Sequence, residues 1–284
     1  MKKLLLIISA VFLLCTGCSG REESISQVVA SFYPMELLTE AIAGDIVSVS
    51  SMAPQVQGCL HNYQLLPSDM MRISDAEMFV INGLGMESFR DMIIEQAPDT
   101  FLVDAGAVVT DPKVIENGHA WLHLPSAIQQ TVAIESGLSE HWPQNAETYR
   151  ANGDALRANL TALQTRLEAL SGSEAQAVCF HEGLALLAEE SGIEVIAVLS
   201  LDEKTPTSSQ LRKILKSISA SPRCFILTDK GAPVYAIQEK VLAETDAIEC
   251  SLYTMTRREG EKDFLYMMEY NVRALEQALE EVLS

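Results

Sequence analysis

Three histidines could do chemistry together in this chain: His61, His119 and His181, at intervals of 58 and 62 residues. Each falls just past an expected strand or in a strand-to-helix loop. In open α/β sheets such loops gather at one edge, where ligands bind. Neutral imidazoles brought together from separate segments suit a divalent transition metal. Zinc stands first, ahead of manganese, which prefers carboxylate oxygens.

Short apolar runs alternate with amphipathic ones to position these histidines. Val28 to Phe32 reads as a strand, followed by a helix from Met35 to Ala43. Further strands are expected at Ile46 to Met52, Met78 to Asn82 and Phe101 to Val103, and Pro67-Ser68-Asp69 is a helix start. After Pro143, the residues Tyr149, Leu156, Leu160, Leu163, Leu167 and Leu170 form one apolar stripe, which predicts a long helix. The alternation then resumes, with strands at Ala177 to Phe180, Glu194 to Leu199, Cys224 to Thr228 and Ala247 to Leu252, and a last helix from Asp263 to Leu283. The fold class is therefore α/β: two halves with mostly parallel sheets, joined by one long helix. Neither half has a Gly-rich phosphate loop or a GxSxG elbow.

The chain opens with Lys2 and Lys3, then an apolar stretch from Leu4 to Leu14 that is too short to span a membrane. Cys15-Thr16-Gly17-Cys18 reads as a lipoprotein cleavage site with Cys18 as the lipidated first residue. The organisation expected is a signal peptide over 1–17, a polar tether over 18–26, an N-terminal lobe over 27–142, a linking helix over 143–171 and a C-terminal lobe over 172–284. Acyl chains on Cys18 would hold the body at the extracytoplasmic face of the cell membrane. The chain carries 20 Lys+Arg against 39 Asp+Glu, a net charge of −19. That balance excludes nucleic acid as a partner and suits attraction of cations. An exported chain can form disulfides, so Cys224 and Cys250, both in expected strands, are either bridged or buried as thiols. Cys59, two residues before His61, is a weaker zinc candidate than the histidines.

The local sequences around the histidines are Gly58-Cys59-Leu60-His61-Asn62-Tyr63-Gln64-Leu65-Leu66-Pro67-Ser68-Asp69, Gly118-His119-Ala120-Trp121-Leu122 and Phe180-His181-Glu182. To these add Ser31-Phe32-Tyr33-Pro34, Asn82-Gly83-Leu84-Gly85-Met86-Glu87 and Tyr266-Met267-Met268-Glu269-Tyr270-Asn271. Taken in order, they resemble the metal-binding proteins of zinc and manganese ABC importers, the cluster A-I solute-binding family, over essentially the whole chain after the signal segment. The resemblance implies two (β/α)4 lobes joined by a rigid backbone helix with the metal between them. It implies a monomeric capture protein that hands its cargo to a membrane permease, and no catalysis.

The departures from the family pattern matter. The family's fourth ligand, an aspartate at the end of the last strand of the second lobe, corresponds here to Tyr253. An acidic residue before the first histidine is replaced by Leu60, and the aspartate of the second motif by His123. A tyrosine must lose a proton with a pKa of about 10 to ligate, so water or Glu182 can complete the shell. His123, Glu182 and Tyr253 are expected to support the ligands rather than replace them, and His141, placed at a helix start, to stand apart on the surface. Two further readings share these residues: a surface zinc hydrolase with a three-histidine site, which needs a general base beside the metal-bound water, and an adhesin-like protein of the same fold.

Overall fold

The computed structural model describes residues 27–53, 60, 63–199, 206–221 and 223–283. The expectations for Cys18, Cys59 and His61, and for the signal and tether segments, lie outside these residues.

Two separate four-stranded sheets form, and every strand pair in them is parallel. The first holds β1 (Val28–Phe32), β2 (Val49–Ala53), β3 (Met78–Ile81) and β4 (Phe101–Asp104), in the order β2-β1-β3-β4. The second holds β5 (Gln176–Cys179), β6 (Glu194–Val198), β7 (Cys224–Asp229) and β8 (Ile248–Leu252), in the order β6-β5-β7-β8. β1 and β3 are buried along their whole length, which is why they read as continuous apolar runs rather than alternating ones. In each sheet the chain order reverses beside the first strand of the lobe. The loops on either side of that point diverge and leave a crevice at the carboxyl edge. His181 follows β5 and so lies at the switch point of the second sheet.

Helices α1 (Tyr33–Ala43), α2 (Pro67–Asp75), α3 (Arg90–Gln96) and α4 (Pro112–Asn117) belong to the first half. α5 (Leu124–His141) and α6 (Ala146–Glu168) follow, then α7 (Glu182–Glu190), α8 (Ser208–Ala220), α9 (Ala236–Glu244) and α10 (Phe264–Leu283). None of these helices is long and apolar enough to cross a membrane. At 23 residues α6 is about 34 Å long. It buries Tyr149, Leu156, Leu160, Leu163 and Leu167 and packs on α1, α5 and α10. Asn152 donates to the Ile42 carbonyl of α1 at 3.0 Å, and Arg166 forks to Glu269 (2.8 Å) and Glu276 (2.7 Å) of α10. The helix is thus tied to elements of both halves.

One sequence expectation needs correction, one helix was not expected, and one open alternative closes. His141 closes α5 instead of opening a helix. It reaches Glu77 at 3.5 Å and packs on Trp142. α5 itself was missed because its core-facing stripe includes Ser126, Ala127, Gln130 and Thr131 beside Leu124, Ile134 and Leu138, too polar to show as a periodic apolar pattern. The disulfide is absent: Cys179, Cys224 and Cys250 are buried free thiols. Leu227 of β7 pairs with Cys250 of β8, so Cys224, three residues earlier on β7, points to the opposite face of the sheet. Cys179 also pairs with Leu227, which leaves it two strands from Cys250, about 9.6 Å and too far for a bridge. Burial pushes the Cys179 and Cys250 thiols up to about 12, so both stay protonated and inert.

Candidate metal site between the lobes

His181 leaves β5 in extended backbone and caps α7: the Gly183 N–H donates to its Nδ1 at 3.1 Å. His119 follows α4, whose C-terminus closes on Gly118 in the left-handed conformation at φ 82°. A glycine is the usual solution there because it has no Cβ to strain. The two rings come from different halves and meet with centroids 4.9 Å apart at 80°. Both side chains are buried, with 1% of His119 and 6% of His181 exposed. Gly183 allows this approach. A Cβ on it would stand 2.5 Å from Leu122 Cδ1 and 3.0 Å from His119 Cβ and Cγ.

The protonation of His119 follows from its neighbours. The His119 backbone N–H donates to Asn117 Oδ1 at 3.3 Å, and Asn117 Nδ2 donates to the Glu182 carbonyl at 3.3 Å. A backbone N–H can only donate and a carbonyl can only accept, so the orientation of the Asn117 amide is chemically forced. His119 Nδ1 then faces two acceptors, Asn117 Oδ1 at 2.8 Å and the Asn117 carbonyl at 3.0 Å. Nδ1 therefore carries the proton and Nε2 holds a lone pair, the arrangement a metal needs. His181 is set the other way. Its Nδ1 accepts, so the neutral ring carries its proton on Nε2. Ligation through Nε2 would require the other tautomer and give up the Gly183 cap.

A fully buried network fixes the His119 loop from behind. Asn82 Nδ2 donates to the Gly118 carbonyl at 3.0 Å, and Gln130 donates to Asn82 Oδ1 at 2.9 Å. The Asn82 and Gly83 N–H groups and the Ser31 hydroxyl converge on the Glu87 carboxylate at 2.7–2.9 Å. Burial pushes Glu87 up to about 7, although these donors favour its charged form.

Residues 253–262 form a strap from the second half across the first. The Trp121 indole, 5.0 Å from the His119 ring, donates to the Thr254 carbonyl at 2.9 Å. Arg258 pairs with the buried Glu36 and lies over the Tyr33 ring, and Tyr33 donates to the Lys262 carbonyl at 3.2 Å. On its own side the strap is anchored by Arg257, which reaches Asp229 at 3.0 Å and the Gly231 carbonyl at 2.7 Å. Burial pushes Asp229 up to about 6, against the pull of Thr254 and Arg257. A second carboxylate bridges the halves: the N–H of Leu124, first residue of α5, donates to Glu190 of α7 at 2.9 Å. Burial pushes Glu190 up to about 7.

The remaining expected residues sit as follows. Tyr253 is buried, and its hydroxyl accepts from Lys262 Nζ at 2.8 Å. Its ring packs on Tyr270 and has the Lys230 ammonium 5.7 Å from its centroid. Cations therefore occupy the polar end of Tyr253. His123 precedes α5 without a side-chain cap to its backbone; its Nδ1 lies 2.9 Å from the Ser126 hydroxyl, and burial lowers its pKa. Glu182 begins α7, and its carbonyl takes the Asn117 amide. The structure thus brings His119, His181 and the Glu182 backbone together. Among the described residues no three His, Cys, Asp or Glu side chains cluster as a metal site; His61 is outside that set. Asn117, Glu190 and the Asp229–Arg257 anchor were not anticipated. Asp229 had one readable signal, a lone acid at a strand end. The others depend on which surfaces face each other.

A sequence profile of the family described as "Zinc-uptake complex component A periplasmic" matches residues 28–278. The chain is 30% identical over 156 residues to the manganese-binding lipoprotein MntA of Halalkalibacterium halodurans, covering 51% of this chain and 52% of that protein. It is 32% identical over 167 residues to the manganese ABC transporter substrate-binding lipoprotein PsaA of Streptococcus pneumoniae, covering 52% and 53%. The match spans about half the length of these curated relatives. Among solved structures, the laminin-binding protein Lmb of Streptococcus agalactiae, described as bifunctional with adhesin and metal transporting activity, superposes with a TM-score of 0.79 at 21% identity over 89% of this chain and 99% of that one. The Zn(II)-bound ZnuA-like domain of Streptococcus pneumoniae AdcA superposes at 0.76 with 20% identity over 90% and 99%. These likenesses show a shared fold.

Proposed function

The chain belongs to the zinc-uptake complex component A periplasmic family, and from that premise we propose that it captures a divalent transition metal, zinc first, for delivery to an ABC importer permease. The observation that carries the reading is the meeting of His119 and His181, two buried imidazoles from opposite halves at 4.9 Å, with the His119 proton held on Nδ1 by Asn117. His61 completes the set as the third imidazole. Water fills the fourth position, because the Tyr253 hydroxyl is turned to Lys262. Residues 27–142 and 172–284 act as the two lobes and 143–171 as the spacer between them. The body is held to the outer membrane face by lipid on Cys18.

An all-imidazole shell favours zinc over manganese, although the named relatives include manganese-binding proteins. A capture role fits better than hydrolysis. Among the described residues, no third His, Cys, Asp or Glu side chain clusters with the two imidazoles, and Asp229, the acid that ends β7, is held by Arg257. The test is zinc titration against a competing chelator. His61→Ala, His119→Ala and His181→Ala each weaken zinc binding strongly and leave the fold intact, while His141→Ala changes little. Equal losses from all four, or tighter binding of Mn(II) than Zn(II), overturn the reading.

A further inference from the structure

We propose that Asn117 is a positioning residue that couples the orientation of the His119 ring to closure of the two lobes. The inference rests on His119 being a metal ligand. One primary amide does two jobs here. Its oxygen, 2.8 Å from His119 Nδ1, holds the imidazole in the tautomer with the proton on Nδ1 and the lone pair on Nε2. Its nitrogen donates at 3.3 Å to the carbonyl of Glu182, the residue next to His181 in the opposite lobe. The orientation of the amide is set jointly by the His119 N–H and the Glu182 carbonyl, so the bond between the lobes favours the same rotamer that serves His119 Nδ1. Opening moves the Glu182 carbonyl away. The Asn117 amide then keeps the His119 backbone N–H but loses its second anchor, so its oxygen is held less firmly opposite His119 Nδ1. Release of metal from one lobe thereby weakens the hold of the other. The residue is well placed for this. It ends α4, its backbone carbonyl also faces His119 Nδ1 at 3.0 Å, and Gly118 beside it is pinned by Asn82.

The two jobs separate in two variants. Asn117→Asp keeps an acceptor for His119 Nδ1, but turns an oxygen toward the Glu182 carbonyl and removes the donor between lobes. Asn117→Ala removes both. Zinc itself is the probe, on the full chain, with three readouts: equilibrium affinity against a chelator, the rate of zinc release into excess chelator, and the imidazole Nδ1–H signal of His119 by 15N-resolved NMR. Thermal melts confirm that each variant is folded. Asn117→Asp should retain the protected Nδ1–H signal and release zinc about 3- to 10-fold faster. Asn117→Ala should lose that signal as well and bind zinc about 10- to 100-fold more weakly. A folded Asn117→Asp that releases zinc at the wild-type rate overturns the coupling. So does an Asn117→Ala with the His119 signal unchanged. His119→Ala runs in parallel: if it binds zinc like the wild type, the ligand assignment itself has failed, whatever the Asn117 variants do.

Discussion

Gly183→Ala is the sharpest probe of the closed geometry. The added Cβ would sit 2.5 Å from Leu122 Cδ1 and 3.0 Å from His119 Cβ and Cγ, against an optimum of about 3.5–4.0 Å. Leu122 is fully buried and His119 nearly so, so neither side chain has free space to retreat into. Relief comes from withdrawing the first turn of α7, and that turn carries His181 as its cap. Overpacking of this kind costs about 1–3 kcal/mol. Alanine returns up to about 1 kcal/mol of helix propensity, so the stability of the metal-free protein changes little. The clash exists only when the lobes are closed, and its whole cost falls on binding. Zinc affinity should drop about 5- to 150-fold. Chelator-competition calorimetry measures the drop, and a thermal melt of the metal-free protein measures the background. An affinity within twofold of wild type would refute the idea that metal capture requires this approach of α7 to the His119 loop.

Glu190 predicts a pH dependence. Its folded pKa of about 7 lies above its ordinary value of 4.5, so the folded state holds the proton more tightly than the unfolded one. Its contribution is fully present below pH 4.5 and is lost as pH rises through 7, with a ceiling of about 3 kcal/mol. Glu190→Gln keeps an acceptor for the Leu124 N–H and removes the charge. Its melting temperature should fall less between pH 5 and pH 8 than that of the wild type, and an identical slope would count against the burial argument. Tyr253→Phe should change zinc affinity by less than about threefold at pH 7, since the phenol faces Lys262. A loss as large as that of His119→Ala would show the phenolate to be a ligand. Zinc should slow hydrogen exchange in residues 111–121 and 253–262, the segments joined through Trp121 and Thr254, and leave 147–170 unchanged. Loosening of the long helix on metal removal would indicate a wide hinge instead.

Local periodicity carried the fold class. Runs such as Met78 to Ile81 are apolar on both faces because a parallel sheet buries both, and the Leu156-Leu160-Leu163-Leu167 stripe follows the 3.6-residue repeat of a single helix. His119 and His181 were legible as candidates because residue type and strand-end position are both local properties. Tertiary structure decided everything that pairs residues distant in the chain. Asn117 meets Glu182, Trp121 meets Thr254, Glu36 meets Arg258 and Leu124 meets Glu190; no periodicity links their positions. Strand register, with its two-residue repeat, set Cys224 and Cys250 on opposite faces and left them thiols. The polarity of α5 concealed it, since its buried face is completed by Ser126, Gln130 and Thr131, whose burial depends on partners such as Asn82 in another element. The sequence by itself determined which elements form and which side chains could ligate. Only the packing of one half against the other brought the two rings together and set the Glu182 carbonyl against the Asn117 amide, because those contacts join residues far apart in the chain, whereas the proton on each ring follows near neighbours in sequence, Asn117 and Gly183.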